Sequence, residues 1–179
     1  MFDKASALSH FILYSIKKPK IELENGMLII SVDVDVGNRK VGLLNGGKND
    51  VNISRHFSEY SVGKIEECAL PALIDCFNNF EMPVTFAIRG QLIEVDTSII
   101  ETILNSSVKH EIASHGYYHK EFSSLSHDEA NHELNLVSSA MEKIGVQPKS
   151  FVYPRNKVAY LDLIRKHGYT CYRGRAGFL

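Results

Sequence analysis

Short apolar segments alternate with helix-like segments along most of the chain, and this alternation constrains the fold more than any other feature. Residues 27–34 (MLIISVDV) and 84–88 (VTFAI) are rich in β-branched side chains, and residues 170–172 resemble a further strand. Between such segments, apolar residues recur at intervals of three and four, as on one face of a helix. Alternating strands and helices are typical of a parallel sheet with helices packed outside it. The sequence therefore predicts an α/β fold with its chemistry at the carboxyl ends of the strands.

The helix that the sequence marks best begins after Ser126. Ser126 and Glu129 have the spacing of a capping box, apolar residues follow at intervals of four and three, and Gly145 is a natural end. Residues 62–80 show the same period, with Pro71 predicting a kink or an internal restart. The remaining predicted elements are strands around 111–113 and 151–153 and helices over 97–105 and 158–167.

Composition excludes several classes of protein. The chain has 179 residues and a net charge of −1, so no global field attracts it to nucleic acid. Its three cysteines lack C-x-x-C spacing, which favours reduced thiols and a cytoplasmic location, and no export signal is evident. No apolar run is long enough to span a bilayer. The basic residues 17–20 (KKPK) allow weak peripheral membrane contact, although the solvated end of an N-terminal helix is the favoured interpretation.

A pair of carboxylates closes the first predicted strand. Asp33 and Asp35 are two residues apart, so both side chains face the same side of the sheet. Burying two acids together is costly unless a cation neutralises them. Two close carboxylates also separate in pKa, which suits one to bind a metal ion and the other to act as a base.

The stretch HEIASHGYYH (residues 110–119) contains the candidate imidazole ligands. His115 and His119 are four apart and would face the same way on one helical turn, whereas His110 is expected to face solvent or a neighbouring loop. Two histidines and one carboxylate leave coordination positions open for water, as in a hydrolytic rather than a structural metal site.

Four segments together resemble the NodB-type polysaccharide deacetylases, which are carbohydrate esterases with a distorted, incomplete (β/α) barrel. In order along the chain these segments are ISVDVD (30–35), PVTFAIRG (83–90), HEIASHGYYH (110–119) and SFVYPRN (150–156). The residues themselves predict an N-terminal helix and basic segment over 1–20, and the resemblance implies a deacetylase-like barrel domain over 21–179. The family's final motif, whose histidine acts as general acid, has no counterpart after His167, and the predicted barrel is one or two strands short. Either the protein is longer than this chain, or it lacks its last strands and that acid.

The resemblance implies a divalent metal site and a catalytic base. By position, Asp35, His115 and His119 would bind one ion, zinc by preference, with Co²⁺, Ni²⁺ or Fe²⁺ as alternatives. Asp33 would take a proton from the metal-bound water that attacks an acetamide carbonyl.

The segment after residue 150 would contact the substrate. A backbone N–H just after Pro154 would stabilise the oxyanion, and Tyr153 would line the same place. The family's arginine precedes the proline, whereas Arg155 follows it here, so Arg155 would either orient Asp33 or bind substrate.

Three functions are compatible with these residues. The first is removal of an acetyl group from an N-acetylated sugar or polysaccharide precursor. The second is hydrolysis of a small non-sugar amide by the same chemistry. The third is carbohydrate binding without catalysis, which the missing final histidine favours and the complete set of predicted ligands and base disfavours. The oligomeric state does not follow from the sequence.

Overall fold

A computed structural model describes residues 28–34, 65–95 and 97–174. These residues contain one sheet of five strands, each hydrogen-bonded in parallel to the next along the chain. The strands are β1 (Ser31–Val34), β2 (Thr85–Ile88), β3 (Glu111–Ser114), β4 (Ser150–Val152) and β5 (Cys171–Arg173). Each of the five predicted strands is confirmed, with ends that differ by a few residues at most.

Helices connect these strands. They are α1 (Leu70–Asn79), α2 (Gly90–Val95), α3 (Ser98–Leu104), α4 (His127–Lys143) and α5 (Leu161–Lys166). Pro71 lies in the first turn of α1, directly after a π-helical turn over Ile65–Ala69, so the predicted internal restart is confirmed. In the described part of the chain, no helix is long and apolar enough to cross a membrane. The predicted N-terminal helix (1–20) lies outside the described residues.

The sheet curls into a half-barrel, which confirms the predicted incomplete (β/α) barrel. β1 and β5 are the two outer strands of the sheet. Nevertheless Arg173 of β5 donates hydrogen bonds to the hydroxyl of Ser31 (2.6 Å) and to the carboxylate of Asp33, both on β1. The two outer strands are therefore linked by side chains across the barrel interior.

The capping box at the start of α4 is also confirmed. Ser126 Oγ accepts the backbone N–H of Glu129 at 3.3 Å, and the Glu129 carboxylate accepts the backbone N–H of Ser126 at 2.8 Å. The apolar face of the helix is buried, and Gly145 ends it with a φ of +68°. By contrast, the helix predicted over 158–167 begins only at Leu161, because Tyr160 has a left-handed φ of +53° that a helix cannot include.

His110 is half-buried at the start of β3 rather than solvent-facing. Its ring packs edge-on against Phe86 (5.3 Å between centroids) and Phe77 (6.4 Å). Its Nδ1 accepts the backbone N–H of Val84 at 3.3 Å, an interaction that the neutral ring alone can make. Burial lowers the pKa of His110 from its ordinary value.

This environment predicts an acid-sensitive contribution of His110 to stability. A histidine with a lowered pKa in the folded state stabilises the fold above its unfolded pKa of about 6.5, and that stability is lost as the pH falls through the folded value. We expect His110→Asn, which keeps an acceptor for Val84 but does not titrate, to show a smaller drop in Tm between pH 8 and pH 5 than wild type. An equal drop in both proteins would contradict this assignment.

Candidate active site

Side chains from both outer strands meet over the middle of the sheet. Asp33 of β1 is in register with Ala87 of β2, which is in register with Ala113 of β3. Of the three inner strands, β2 and β3 thus contribute only methyl groups at these positions, which leaves space for longer side chains above them. Arg173, the last residue of β5, extends into that space. The small residues of the central strands therefore allow two distant strand ends to form one site.

His115 is the most constrained side chain at this position. It follows β3 directly, is 1% exposed, and its Nδ1 lies 2.7 Å from the carbonyl oxygen of Val152. Because a carbonyl can only accept, Nδ1 bears the proton, which leaves the lone pair of the neutral ring on Nε2. His115 Nε2 lies 4.0 Å from the Asp33 carboxylate. The hydrogen bond to Val152 therefore directs a basic nitrogen toward Asp33.

His119 lies beside His115, but not for the reason predicted. The segment between them is a non-helical loop, with left-handed φ values of +71° at Gly116 and +59° at His119. Their ring centroids are nevertheless 4.9 Å apart. The expectation that one helical turn would align the two rings is wrong, whereas their proximity is confirmed.

An arginine that the sequence analysis did not identify contacts Asp33. Arg173 Nη2 donates to both carboxylate oxygens of Asp33, at 2.6 Å to Oδ1 and closer still to Oδ2. The Asp33 and Arg173 side chains are each about one third exposed, at 34% and 35%. Arg155, the predicted partner, is exposed and has a left-handed φ of +54°. The guanidinium on Asp33 in the described structure is thus that of Arg173, and the role of Arg155 stays a prediction.

The Tyr153–Pro154 segment follows β4 at the same edge of the sheet. Tyr153 is fully buried, and its hydroxyl donates to the carbonyl oxygen of Ala159 at 2.6 Å. Burial raises the pKa of the Tyr153 phenol, so the hydroxyl stays protonated. Its side chain is therefore directed into the core, and any contact of Tyr153 with a substrate would involve its backbone. The buried Pro154 ring follows at once.

Left-handed backbone conformations concentrate in the loops of this site. His119, Arg155 and Asn156 have φ values between +54° and +59°, a region that residues with a side chain rarely adopt. Such strain persists only where surrounding structure enforces it, and it is common in functional loops. The loops after β3 and β4, at the carboxyl edge of the sheet, therefore contain most of the described non-glycine residues with a positive φ.

The imidazoles of His115 and His119 fit part of a metal site of the kind that binds zinc. Two neighbouring imidazoles, one of them oriented by a hydrogen bond from its other ring nitrogen, are an arrangement that metal-binding histidines share. The third predicted ligand, Asp35, lies outside the described residues. Within residues 28–34, 65–95 and 97–174, no three histidine, cysteine, aspartate or glutamate side chains form a complete cation site. The predicted ligand set therefore stays a prediction, and His115 and His119 are compatible with it.

Comparison with known proteins identifies the family of the chain. The family model for polysaccharide deacetylases matches residues 59–172. The peptidoglycan deacetylase of Helicobacter pylori (strain ATCC 700392 / 26695) is 25% identical over 149 residues, which are 80% of this chain and 47% of that protein. The chain thus spans about half the length of this relative.

Solved structures share the fold. A Mycobacterium smegmatis protein assigned as a polysaccharide deacetylase superposes with a TM-score of 0.68 at 22% identity, covering 83% of this chain and 52% of that one. A CE4 family pseudoenzyme from Bacillus anthracis superposes with a TM-score of 0.62 at 14% identity, covering 84% and 43% respectively. Since the family model matches more than half of the sequence, the chain belongs to the polysaccharide deacetylase family.

Proposed function

We propose that this chain forms the catalytic region of a metal-dependent hydrolase that removes the acetyl group from an N-acetylated sugar. Membership of the polysaccharide deacetylase family supports the reaction class, and the similarity to a peptidoglycan deacetylase supports N-acetylated sugars of peptidoglycan or of a polysaccharide precursor as substrates. The physiological ion would be zinc or a similar divalent metal.

One observation supports this function above the others. His115 is buried, oriented by Val152, and directed toward an aspartate that an arginine contacts. A structural role alone gives no reason to place a basic nitrogen, a carboxylate and a guanidinium together at one edge of a sheet. Convergence of such groups on one place usually marks chemistry.

Each residue has a distinct role in the proposed reaction. An ion held by Asp35, His115 and His119 would supply Lewis acidity, which polarises the amide carbonyl and lowers the pKa of water. Asp33 would accept the proton of the attacking water.

The remaining groups would orient the base and the amide. The guanidinium of Arg173 would keep Asp33 in place. The backbone N–H that follows Pro154 would donate to the carbonyl oxygen as negative charge develops there.

The Arg173 contact gives a prediction about rate. Arg173→Lys removes the planar guanidinium, so the ammonium can no longer contact Ser31 and Asp33 together. We expect kcat for deacetylation to fall about 10- to 100-fold while KM stays close to wild type, because the base is misplaced rather than the substrate site. Steady-state kinetics on one N-acetylated oligosaccharide measures both constants. Arg165→Lys, an exposed position on α5, is the matched control, and equal kcat values in the two variants would contradict the role of Arg173.

The reaction itself is tested by acetate release. The full chain would be incubated with N-acetylglucosamine oligomers and with peptidoglycan fragments, with zinc, with other divalent ions, or after treatment with a chelator. We expect acetate and a free amine in stoichiometric amounts, with loss of turnover after chelation and recovery when metal is added back. If simple non-sugar acetamides were hydrolysed faster than any sugar, the small-amide alternative would replace this proposal.

A non-catalytic carbohydrate-binding role is the second candidate. It is supported by a specific observation, since a CE4 family pseudoenzyme has the same fold. Sugar binding without acetate release, under every metal condition, would favour this candidate. Metal-dependent acetate release would exclude it.

A further inference from the structure

Glu133 interrupts the apolar face of α4. The buried residues around it are all apolar, and they are Ala130, Leu134, Val137, Ala140 and Met141. Glu133 is 1% exposed, like the apolar side chains beside it. Burial of a carboxylate costs free energy unless hydrogen bonds or opposite charges compensate. We therefore expect the Glu133 carboxylate to have hydrogen-bond donors or a positive charge beside it.

Those contacts are with the loop between the two histidines. Glu133 Oε2 accepts the backbone N–H of Tyr117 at 2.9 Å and that of Tyr118 at 3.0 Å. Glu133 Oε1 faces the ammonium of Lys120 at 3.8 Å. One carboxylate thus satisfies two consecutive backbone donors in the three residues that separate His115 from His119.

The carbonyl groups of the same loop are bound from the other side. The backbone N–H of Gly90 donates to the carbonyl of Gly116 at 2.9 Å, and that of Gln91 donates to the carbonyl of Tyr117 at 3.3 Å. A Cβ on Gly90 would lie 2.7 Å from the Tyr117 ring, so α2 packs closely against the loop. The loop is therefore held between the start of α2 and Glu133.

We propose that Glu133 is a positioning residue that sets the separation and orientation of His115 and His119. This inference rests on the proposed metal-dependent function, because the pair is positioned to bind an ion. The loop is not helical and contains two left-handed residues, so no regular hydrogen-bonding pattern of its own aligns the rings. Without the carboxylate, the N–H groups of Tyr117 and Tyr118 would lose their acceptor, and the loop would have to rearrange to satisfy them.

Zinc affinity is the main test, measured by competition with a chromophoric chelator at one pH. We expect Glu133→Ala to weaken zinc binding about 10- to 100-fold, the usual loss when a residue that orients a ligand is removed. Glu133→Gln retains an acceptor oxygen and is expected to recover most of the affinity. The cobalt-substituted protein should show an altered visible spectrum in Glu133→Ala and a nearly native one in Glu133→Gln.

Glu129→Ala is the matched control. It removes an exposed carboxylate of the same helix and weakens the capping box, which lowers stability. The contacts of Glu129 are with Ser126 rather than with the loop between the two histidines. We expect its zinc affinity to equal that of wild type. If Glu129→Ala weakened zinc binding as much as Glu133→Ala, general loss of stability would explain both, and the inference would be overturned.

A measurement on metal-free wild type covers the case in which Glu133→Ala does not fold. The amides of Tyr117 and Tyr118 should exchange hydrogen as slowly as buried amides of α4. Rapid exchange would mean that the carboxylate does not hold the loop, and the inference would fail. Wild type that binds no zinc would overturn the metal-dependent function itself and this inference with it. Normal affinity in both wild type and Glu133→Ala would overturn the inference alone.

Discussion

Asp33→Asn is expected to leave the fold and the bound metal in place while lowering deacetylation about 100- to 10,000-fold, the contribution typical of general acid–base catalysis. The amide is nearly isosteric with the carboxylate and can still accept from Arg173, but it cannot take a proton from water at neutral pH. We therefore expect zinc content per chain to match wild type and kcat to collapse. Acetate release and elemental analysis of the same preparation measure the two quantities together.

Glu111→Gln is the matched control for this substitution. Glu111 is an exposed carboxylate at the amino end of β3, where it accepts the hydroxyls of Thr85 (2.6 Å) and Ser150 (2.5 Å). It should retain wild-type turnover. Full activity of Asp33→Asn would exclude Asp33 as the base, and loss of metal from that variant would indicate that Asp33 is a ligand instead.

His115→Ala is expected to abolish metal binding and, with it, turnover. The substitution removes the imidazole whose Nδ1–H donates to Val152, so it deletes a predicted ligand and leaves a buried carbonyl without that donor. We expect about one zinc per wild-type chain and almost none in the variant, together with a loss of stability of about 1–3 kcal/mol from the unsatisfied group. Elemental analysis after purification without chelator measures the first effect, and chemical denaturation of the metal-free proteins measures the second.

His132→Ala provides the comparison. His132 is exposed on α4, and its removal should leave metal content unchanged. His119→Ala should behave like His115→Ala in metal content but cost less stability, because His119 is only partly buried. Equal metal in wild type and His115→Ala would mean that the ion, if any, is held elsewhere.

Local sequence patterns predicted much of this fold because helix caps, helix breaks and apolar strands are determined by residues close together in the chain. The capping box at Ser126 and Glu129, the restart at Pro71 and the five apolar strands depend on neighbouring residues, and each is confirmed. The short spacing of His115 and His119 also predicted their proximity. It did not predict the loop between them, since that geometry depends on α2 and α4, which approach from elsewhere in the chain.

The parts of the site that sequence reasoning missed are long-range. Arg173 is 140 residues from Asp33, and nothing in its local sequence identifies its partner. The resemblance to the family directed attention to Arg155, which follows a strand end and is exposed. Glu133 did carry a signal, namely a charged residue within an apolar stripe of period 3.6, which indicates a buried polar contact.

The Arg173–Asp33 contact also affects the stage of synthesis at which the protein is expected to become active. A ribosome-bound chain that ends before β5 already contains Asp33 and both histidines, and four of the five described strands could pair. It lacks the guanidinium that contacts Ser31 and Asp33, so the Asp33 side chain would be free to rotate. Joining residues so far apart is an entropically costly and slow event in folding. Activity should therefore appear only after β5 has been synthesised and has joined the sheet, because Asp33 on β1 is held by Arg173 on β5.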